Sequence, residues 1–155
     1  MAYFILTAAI LAADQISKYL VRTNMNVAES IDVLGSFFQF TYFQNYGAAF
    51  NSFGHERVFL ITVPAVAICV ALVYFFRNRD KSPVLKTALS LIISGGTGNL
   101  IDRCVFVYVT DMFDFSIFPA IFNVADIAVV FGCALIVYYI LFGEKIEEKR
   151  LRGDN

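Results

Sequence analysis

Charged residues, histidine and cysteine are all scarce in this chain of 155 residues. Lys, Arg, Asp and Glu make up 16% of it, there is one histidine, and the formal net charge is −1. So small a net charge gives no indication of nucleic acid as a partner. One histidine without a Cys/His cluster argues against a zinc enzyme, and we expect no metal. The three cysteines lie far apart in the sequence, which favours small apolar packing residues over a disulfide.

Hydrophobic residues, by contrast, make up 59% of the chain, too many for a soluble domain of this size. They gather in runs about as long as the roughly 20 residues that a membrane-spanning helix needs. We therefore predict an all-α, polytopic membrane protein of one domain, residues 1–155. Asp14 and Lys18 interrupt the first run, which indicates a retained helix rather than a cleaved signal peptide. The predicted spans are Tyr3 to Val21, Val58 to Phe76, Val84 to Ile101, and Phe122 to Phe142.

The basic residues predict how these spans are oriented. Because cytoplasmic loops are enriched in Lys and Arg, both termini are predicted to face the cytoplasm. Segments 22–57 and 102–121 then face outward. Eight of the twelve Lys and Arg residues support this orientation: Arg77, Arg79, Lys81 and Lys86 around the second connection, and Lys145, Lys149, Arg150 and Arg152 after the last span.

The first outer segment has a composition typical of strands. From Ile31 to Gln44 it is rich in β-branched and aromatic residues, with Gly35 inside. Aromatic side chains are well suited to the membrane–water interface. We predict a small β platform after the first helix that lies on the outer leaflet.

Polar residues inside the spans collect near the predicted outer boundary. A charged group in a spanning helix is costly, so each one indicates a partner or a function. Helical spacing places several of them on shared faces, and their positions predict a single site at one depth. The residues are Asp14 and Lys18; Asn99, Asp102 and Arg103; Asn123 and Asp126; and, on the outer segments, Asn45 and Asp111.

Carboxylates are the chemistry that this set offers, because no histidine lies where it could serve a nucleophile. Two carboxyl groups held together in a place of low dielectric share a proton. One can then activate a water as general base while the other, protonated, polarises the bond to be cut. We favour Asp111 and Asp126 as this pair and keep Asp114 as an alternative to Asp111.

Two other functions stay open on the residues alone. In a small transporter or channel, Asp14, Asp102 and Asp126 would form an ion path, although the cytoplasmic halves of the spans carry almost no polar residues. In a non-catalytic membrane scaffold the aspartates would hold helices together. That function leaves their clustering on one side unexplained.

Five motifs in order resemble lipoprotein signal peptidase, also called signal peptidase II, over nearly the whole chain. They are DQISK (14–18), NYGAAF (45–50), GGTGNLIDR (95–103), VTDMF (109–113) and FNVAD (122–126). The resemblance implies an aspartyl endopeptidase of the bacterial cytoplasmic membrane. Such an enzyme acts on diacylglyceryl-modified prolipoproteins and cuts before the lipidated cysteine. It needs no cofactor, and globomycin-type cyclic peptides inhibit it; we expect a monomer.

The same resemblance assigns roles to individual residues. The family's catalytic aspartates fall on Asp111 and Asp126, and Val109, the β-branched residue two positions earlier, favours Asp111 over Asp114. From the residues themselves rather than from the resemblance, Lys18 and Asp102 are predicted to be structural, and an ion pair of Asp14 with Lys18 stays open beside substrate contact. Substrate-binding or orienting roles fall on Asp14, Asn45, Asn99, Arg103 and Asn123.

Overall fold

The computed structural model describes residues 1–47, 57–77 and 82–152, and the side chains of residues 1–47, 57–77 and 82–143. Some sequence predictions fall outside these ranges. They include the last three residues of the NYGAAF motif, the basic residues Arg79 and Lys81, and the side chains of the basic C-terminal residues. Everything below refers to the described residues.

Four long helices form the body of the protein, and the four predicted spans are confirmed. They are α1 (Ala2–Asn24), α2 (Arg57–Arg77), α3 (Pro83–Val105) and α4 (Val124–Arg152). Each contains a stretch that is long and apolar enough to cross a membrane, which in α4 is Val124–Gly143. Their outward surfaces are lined by exposed large apolar side chains, as expected for lipid-facing helices.

Helix α3 is the central helix. Half of its most apolar 18-residue stretch is buried, compared with 17%, 11% and 17% in α1, α2 and α4. It packs against all three of the other helices. Glycines bring α3 and α4 close: a Cβ at Gly95 would overlap the carbonyl oxygen of Ala125, and one at Gly132 would lie 2.9 Å from the carbonyl oxygen of Ala88. Small residues at such positions let helix backbones approach closely in membranes.

A three-stranded antiparallel sheet lies at one end of the helices. Its strands are β1 (Ser30–Asp32), β2 (Phe38–Asn45) and β3 (Val109–Phe115), in the order β1-β2-β3. The predicted β platform after the first helix is therefore confirmed. The third strand is additional, because it comes from residues 102–121, the second of the segments that were predicted to face outward. Asp111, which the sequence placed on an outer loop, lies in β3 opposite Phe43.

Backbone pairing and aromatic stacking tie β3 to the beginning of α4. Phe113 and Phe122 exchange backbone hydrogen bonds of 2.8 and 3.2 Å. The ring of Phe115 stacks on that of Phe122, with centroids 5.8 Å apart, and on that of Phe38 at 4.5 Å. Strand β3 and helix α4, which are separated by eight residues in the sequence, are thus held together. This junction brings the segment carrying Asp111 next to the first turn of α4.

Candidate active site

Asn123 is buried between two carboxyl groups. Its side-chain Nδ2 donates a hydrogen bond of 2.6 Å to Oδ1 of Asp111, and its backbone N–H donates one of 3.1 Å to Oδ2 of Asp126. In return its Oδ1 accepts the backbone N–H of Asp126 at 2.9 Å. The reciprocal pair between Asn123 and Asp126 is a capping box, the local arrangement that begins a helix. The start of α4 therefore places Asp126 beside the strand carboxylate.

Two further amides complete the hydrogen bonding of the carboxyl pair. Asn45 Nδ2 donates to Oδ2 of Asp111 at 2.9 Å, and Asn99 Nδ2 donates to Oδ1 of Asp126 at 2.8 Å. The Oδ1 of Asn45 accepts the backbone N–H of Gly47 at 3.0 Å, which fixes the orientation of that amide. All four carboxyl oxygens consequently accept an N–H, each from a group held in place by another contact.

The environment of Asp111 favours its protonated form. Its side chain is 1% exposed. Burial raises the pKa of Asp111 to about 7, and the charge of Asp126 acts in the same direction. Hydrogen bonds from Asn45 and Asn123 oppose this shift, since they stabilise the carboxylate. The strand carboxyl is thus set to hold or release a proton near neutral pH.

A buried ionic cluster lies behind the carboxyl pair. Lys18 Nζ is 2.9 Å from Oδ2 of Asp14 and 3.3 Å from Oδ2 of Asp102, and all three side chains are fully buried. The other oxygen of Asp14 accepts the backbone N–H of Ala125 at 2.9 Å. Asp14 was predicted to contact substrate, but the structure places it among these partners and not on the wall of the cavity described below. Of the two alternatives that the sequence left open for Asp14, the structure shows the ion pair with Lys18.

Two residues of this cluster were missed by the sequence analysis. Arg22 Nη1 donates to Oγ1 of Thr110 at 3.0 Å and lies 3.4 Å from Oδ1 of Asp102. The backbone N–H of Thr110 donates to Oδ2 of Asp102 at 3.0 Å. The helical spacing of Arg22, four residues after Lys18, was the signal that could have identified it. These contacts fix β3 one residue before Asp111.

A cavity of about 570 Å³ opens onto the carboxyl pair. Its polar wall holds five of the predicted site residues, and Asn123, Lys18, Asp102 and Asp14 lie behind this wall. The remaining surface is apolar and comes from β3, the β3–α4 connection and α4, including Phe115, Ile127, Val130 and Phe131. The polar lining consists of Asn45, Asn99, Arg103, Asp111 and Asp126.

Arg103 offers a free donor in this cavity. Its Nη2 donates to the carbonyl oxygen of Gly47 at 3.2 Å. Its Nε is buried and has no hydrogen-bond partner among the described residues. A buried donor without a partner is costly, and a ligand with an oxygen acceptor would satisfy it.

Asp114 lies on the other side of β3 from Asp111. Successive side chains of a strand point to opposite faces, so side chains three residues apart point to opposite faces of the sheet. Asp114 accepts a hydrogen bond of 2.9 Å from Oγ1 of Thr41 and does not line the cavity. In the described parts of the chain, no group of three His, Cys, Asp or Glu side chains is arranged to hold a metal ion.

Comparison with protein families gives a match over most of the chain. A family model described as signal peptidase (SPase) II matches residues 6–142. A lipoprotein signal peptidase of Moorella thermoacetica is 42% identical over 142 residues, covering 91% of this chain and 93% of that protein. One of Halothermothrix orenii is 42% identical over 146 residues, covering 94% of this chain and 99% of the relative.

Solved structures match the fold over a similar length. A bacterial membrane enzyme determined by the in meso method at 2.3 Å resolution superposes with a TM-score of 0.86 at 27% identity, covering 90% of this chain and 87% of that one. A second, at 1.9 Å resolution, gives a TM-score of 0.83 at 27% identity and covers 90% and 92% of the two chains. The four helices and the sheet therefore form an arrangement already seen in a membrane enzyme.

Proposed function

The chain belongs to the signal peptidase II family of peptidases, and from this premise we propose that it is an aspartyl endopeptidase with Asp111 and Asp126 as its catalytic pair. Its substrates are diacylglyceryl-modified bacterial prolipoproteins, which it cuts before the lipidated cysteine. The relatives it resembles carry the name lipoprotein signal peptidase. The enzyme is a multi-pass membrane protein with four spans.

The observation that carries the proposal is the position of Asn123 between two carboxyl groups that line an apolar cavity: its side-chain Nδ2 donates to Asp111, and its backbone N–H donates to Asp126. Asn123 contacts both Asp111 and Asp126, at 2.6 and 3.1 Å. Two carboxyl groups held this way cannot both ionise easily, so one proton is shared between them. That state is the one that general acid–base hydrolysis of a peptide requires.

In the proposed reaction one carboxylate removes a proton from a water molecule, and the water oxygen attacks the scissile carbonyl carbon. The protonated carboxyl of the pair hydrogen-bonds to the carbonyl oxygen as negative charge develops there. Collapse of the tetrahedral intermediate breaks the carbon–nitrogen bond, and the leaving nitrogen takes a proton from the pair. The products are a signal peptide with a free carboxylate and a lipoprotein with a free amino group on its lipidated cysteine.

The cavity suits a substrate that is both peptide and lipid. Its apolar lining from Ile127, Val130 and Phe131 belongs to the span of α4, so an acyl chain or an apolar signal peptide can enter from the bilayer. The Nε of Arg103, which has no partner among the residues that the structure describes, is available to a backbone carbonyl of the substrate. Asn45, on β2, also lines the cavity and donates a hydrogen bond to Asp111.

We place this site near the outer leaflet, with both termini in the cytoplasm. The sheet and the polar ends of α1, α3 and α4 lie at one end of the helices, whereas the connection between α2 and α3 is rich in Lys and Arg. The buried charged side chains of the described residues all belong to the site or to the cluster behind it, which speaks against an ion path across the membrane. These side chains are Asp14, Lys18, Asp102 and Asp111.

A reconstituted cleavage assay tests the proposed function. The purified protein in lipid vesicles is mixed with one prolipoprotein in two forms, with and without the diacylglyceryl group on its cysteine. We expect cleavage of the modified form, with mass spectrometry locating the cut directly before the cysteine, and inhibition by a globomycin-type cyclic peptide. Equal cleavage of both forms, or a cut at another bond, would contradict the proposed specificity.

A further inference from the structure

Lys18 uses all of its hydrogen-bonding capacity inside the protein. Its ammonium group lies 2.8 Å from Oδ1 of Asn99, 2.9 Å from Asp14 and 3.3 Å from Asp102. An ammonium group has three N–H donors and no acceptor. Each donor of this fully buried cation therefore has one fixed partner, and one of those partners belongs to the wall of the active site.

The contact with Lys18 determines which way the amide of Asn99 faces. Because the ammonium group can only donate, the oxygen of the amide must face it, and Nδ2 of Asn123 donates to the same oxygen at 3.2 Å. The nitrogen of Asn99 then points the other way and donates to Oδ1 of Asp126 at 2.8 Å. A flipped amide would place N–H groups against a cation and an oxygen against a carboxylate.

The two carboxyl groups of the pair therefore differ in the kind of group that orients the amides donating to them. The amide that contacts Asp111 from β2, Asn45, is oriented by a neutral backbone N–H, that of Gly47. The amide that contacts Asp126 from α3 is oriented by a positive charge. Polarisation of an amide by a cation strengthens the hydrogen bond that its N–H donates, and that bond favours the ionised form of its acceptor.

We propose that Lys18 is a positioning residue that, through Asn99, keeps Asp126 ionised as the carboxylate that activates water and leaves the shared proton on Asp111. The inference rests on the proposed function, since it assigns separate roles within the same catalytic pair. Lys18 itself touches neither the cavity nor the reacting atoms.

Charged groups of both signs face Asp126. Besides Lys18 and Asp14 on α1, Arg103 on α3 and Asp111 on β3 face it. The pKa of Asp111 is raised to about 7 by burial and by the negative charge of Asp126. The negative charge of Asp126 therefore favours the location of the shared proton on Asp111.

The test is the pH dependence of kcat for cleavage of the lipid-modified prolipoprotein by the full-length enzyme in vesicles. The acidic limb reports ionisation of the base in the substrate complex. Lys18→Met removes the cation, and Lys18→Met with Asp14→Asn removes it together with one negative charge, which keeps the buried cluster balanced. Asp14→Asn alone is the matched control that retains the cation. Thermal unfolding identifies the variants that remain folded at the assay temperature.

We expect the acidic limb to move to higher pH by about one unit or more in Lys18→Met, because a nearby cation shifts such an ionisation by about that amount. In the double variant the limb should move in the same direction by a smaller amount, because the loss of the negative charge of Asp14 opposes the loss of Lys18, whose effect on Asp126 is the larger of the two. In Asp14→Asn the limb should stay in place or move to lower pH, since a negative charge near Asp126 has been removed. The kcat at the optimum should fall more than KM changes.

A purely structural role for Lys18 would give a different result. All three variants would then lose activity in proportion to their stability, and their acidic limbs would coincide with that of the wild type. That outcome in the balanced double variant overturns the inference. It leaves the proposed function intact as long as the wild type cleaves, whereas a wild type that never cleaves removes the proposed function itself.

Discussion

Oδ1 of Asp14 accepts the backbone N–H of Ala125 at 2.9 Å, so a carboxylate of the first helix caps the beginning of the fourth. The first N–H groups of a helix have no partner within the helix, and a negative charge there is favourable. The next residue after Ala125 is Asp126. The cap therefore contributes both to the stability of α4 and to the position of the proposed base.

This cap predicts an ordered loss of stability in two variants. Asp14→Ala removes the ion pair with Lys18 and the acceptor for Ala125, whereas Asp14→Asn retains an oxygen for the cap. We expect Asp14→Ala to be less stable than Asp14→Asn by about 1 kcal/mol, the usual contribution of a helix cap. Denaturant unfolding in detergent micelles measures the difference, and equal stabilities would show that the cap contributes nothing.

The pKa of Asp111 predicts a pH-dependent contribution to stability. Between its ordinary value of 3.8 and the value of about 7 in the folded protein, the folded chain holds a proton that the unfolded chain has released. The free energy of unfolding therefore falls as pH rises through this range, because the folded state binds more protons. Asp111→Asn removes this effect.

We accordingly expect the Tm of Asp111→Asn minus that of the wild type to increase as pH rises from acid to neutral. Asp114→Asn serves as the control, because it removes a carboxylate from the opposite face of the same strand. If the Tm difference between Asp111→Asn and the wild type did not change with pH, this result would contradict the raised pKa of Asp111. Thermal unfolding in micelles at several pH values provides the measurement.

Much of the candidate site follows from the sequence because helical spacing and the direction of the spans determine it. Asn99 with Arg103, and Asn123 with Asp126, lie on shared helix faces at the ends of their spans that were predicted to face outward, and all of them meet in the structure. The rotation of α1 about its axis could not be obtained this way. It decides that Asp14 faces α4 and not the cavity, and it depends on packing against helices distant in sequence.

The contact between Gly98 and Asp14 predicts a sensitive position in α3. A Cβ at Gly98 would overlap Oδ2 of Asp14, which also accepts Lys18. Gly98→Ala should therefore disrupt the buried cluster and lower both Tm and cleavage. Gly96→Ala is the matched control two residues away, because its Cβ would meet only the flexible side chain of Ile68, at 3.0 Å. Equal effects of the two substitutions would show that the close approach to Asp14 is unimportant.

The turn between α3 and β3 contains a strained residue. Val107 has a φ of 73°, a left-handed conformation that β-branched residues rarely adopt. Val107→Gly should raise Tm, since glycine adopts this conformation without steric cost. Val105→Gly, in the last turn of α3 where the backbone is helical, is the control and should lower Tm. A lower Tm for Val107→Gly would indicate that its side chain stabilises the protein by more than the strain costs.

The third strand shows where pattern recognition failed. The segment Val109–Phe115 carries the β-branched and aromatic residues typical of strands, yet it lies between two spans and was interpreted as a loop. Its partner is β2, more than sixty residues earlier, with a register shift between Phe40 and Phe43. Such pairing depends on contacts distant in sequence, and local composition does not specify its register.

The central claim is that Asp111 and Asp126 together cut the substrate, and a gel-shift assay with purified lipid-modified prolipoprotein tests it most directly. Wild type is compared with Asp111→Asn, Asp126→Asn and Asp114→Asn, each confirmed to be folded. We predict that the first two lose at least about a hundredfold in rate, as expected for removal of a general acid or base, while Asp114→Asn cleaves like the wild type. Near-normal cleavage by either Asp111→Asn or Asp126→Asn would contradict the account.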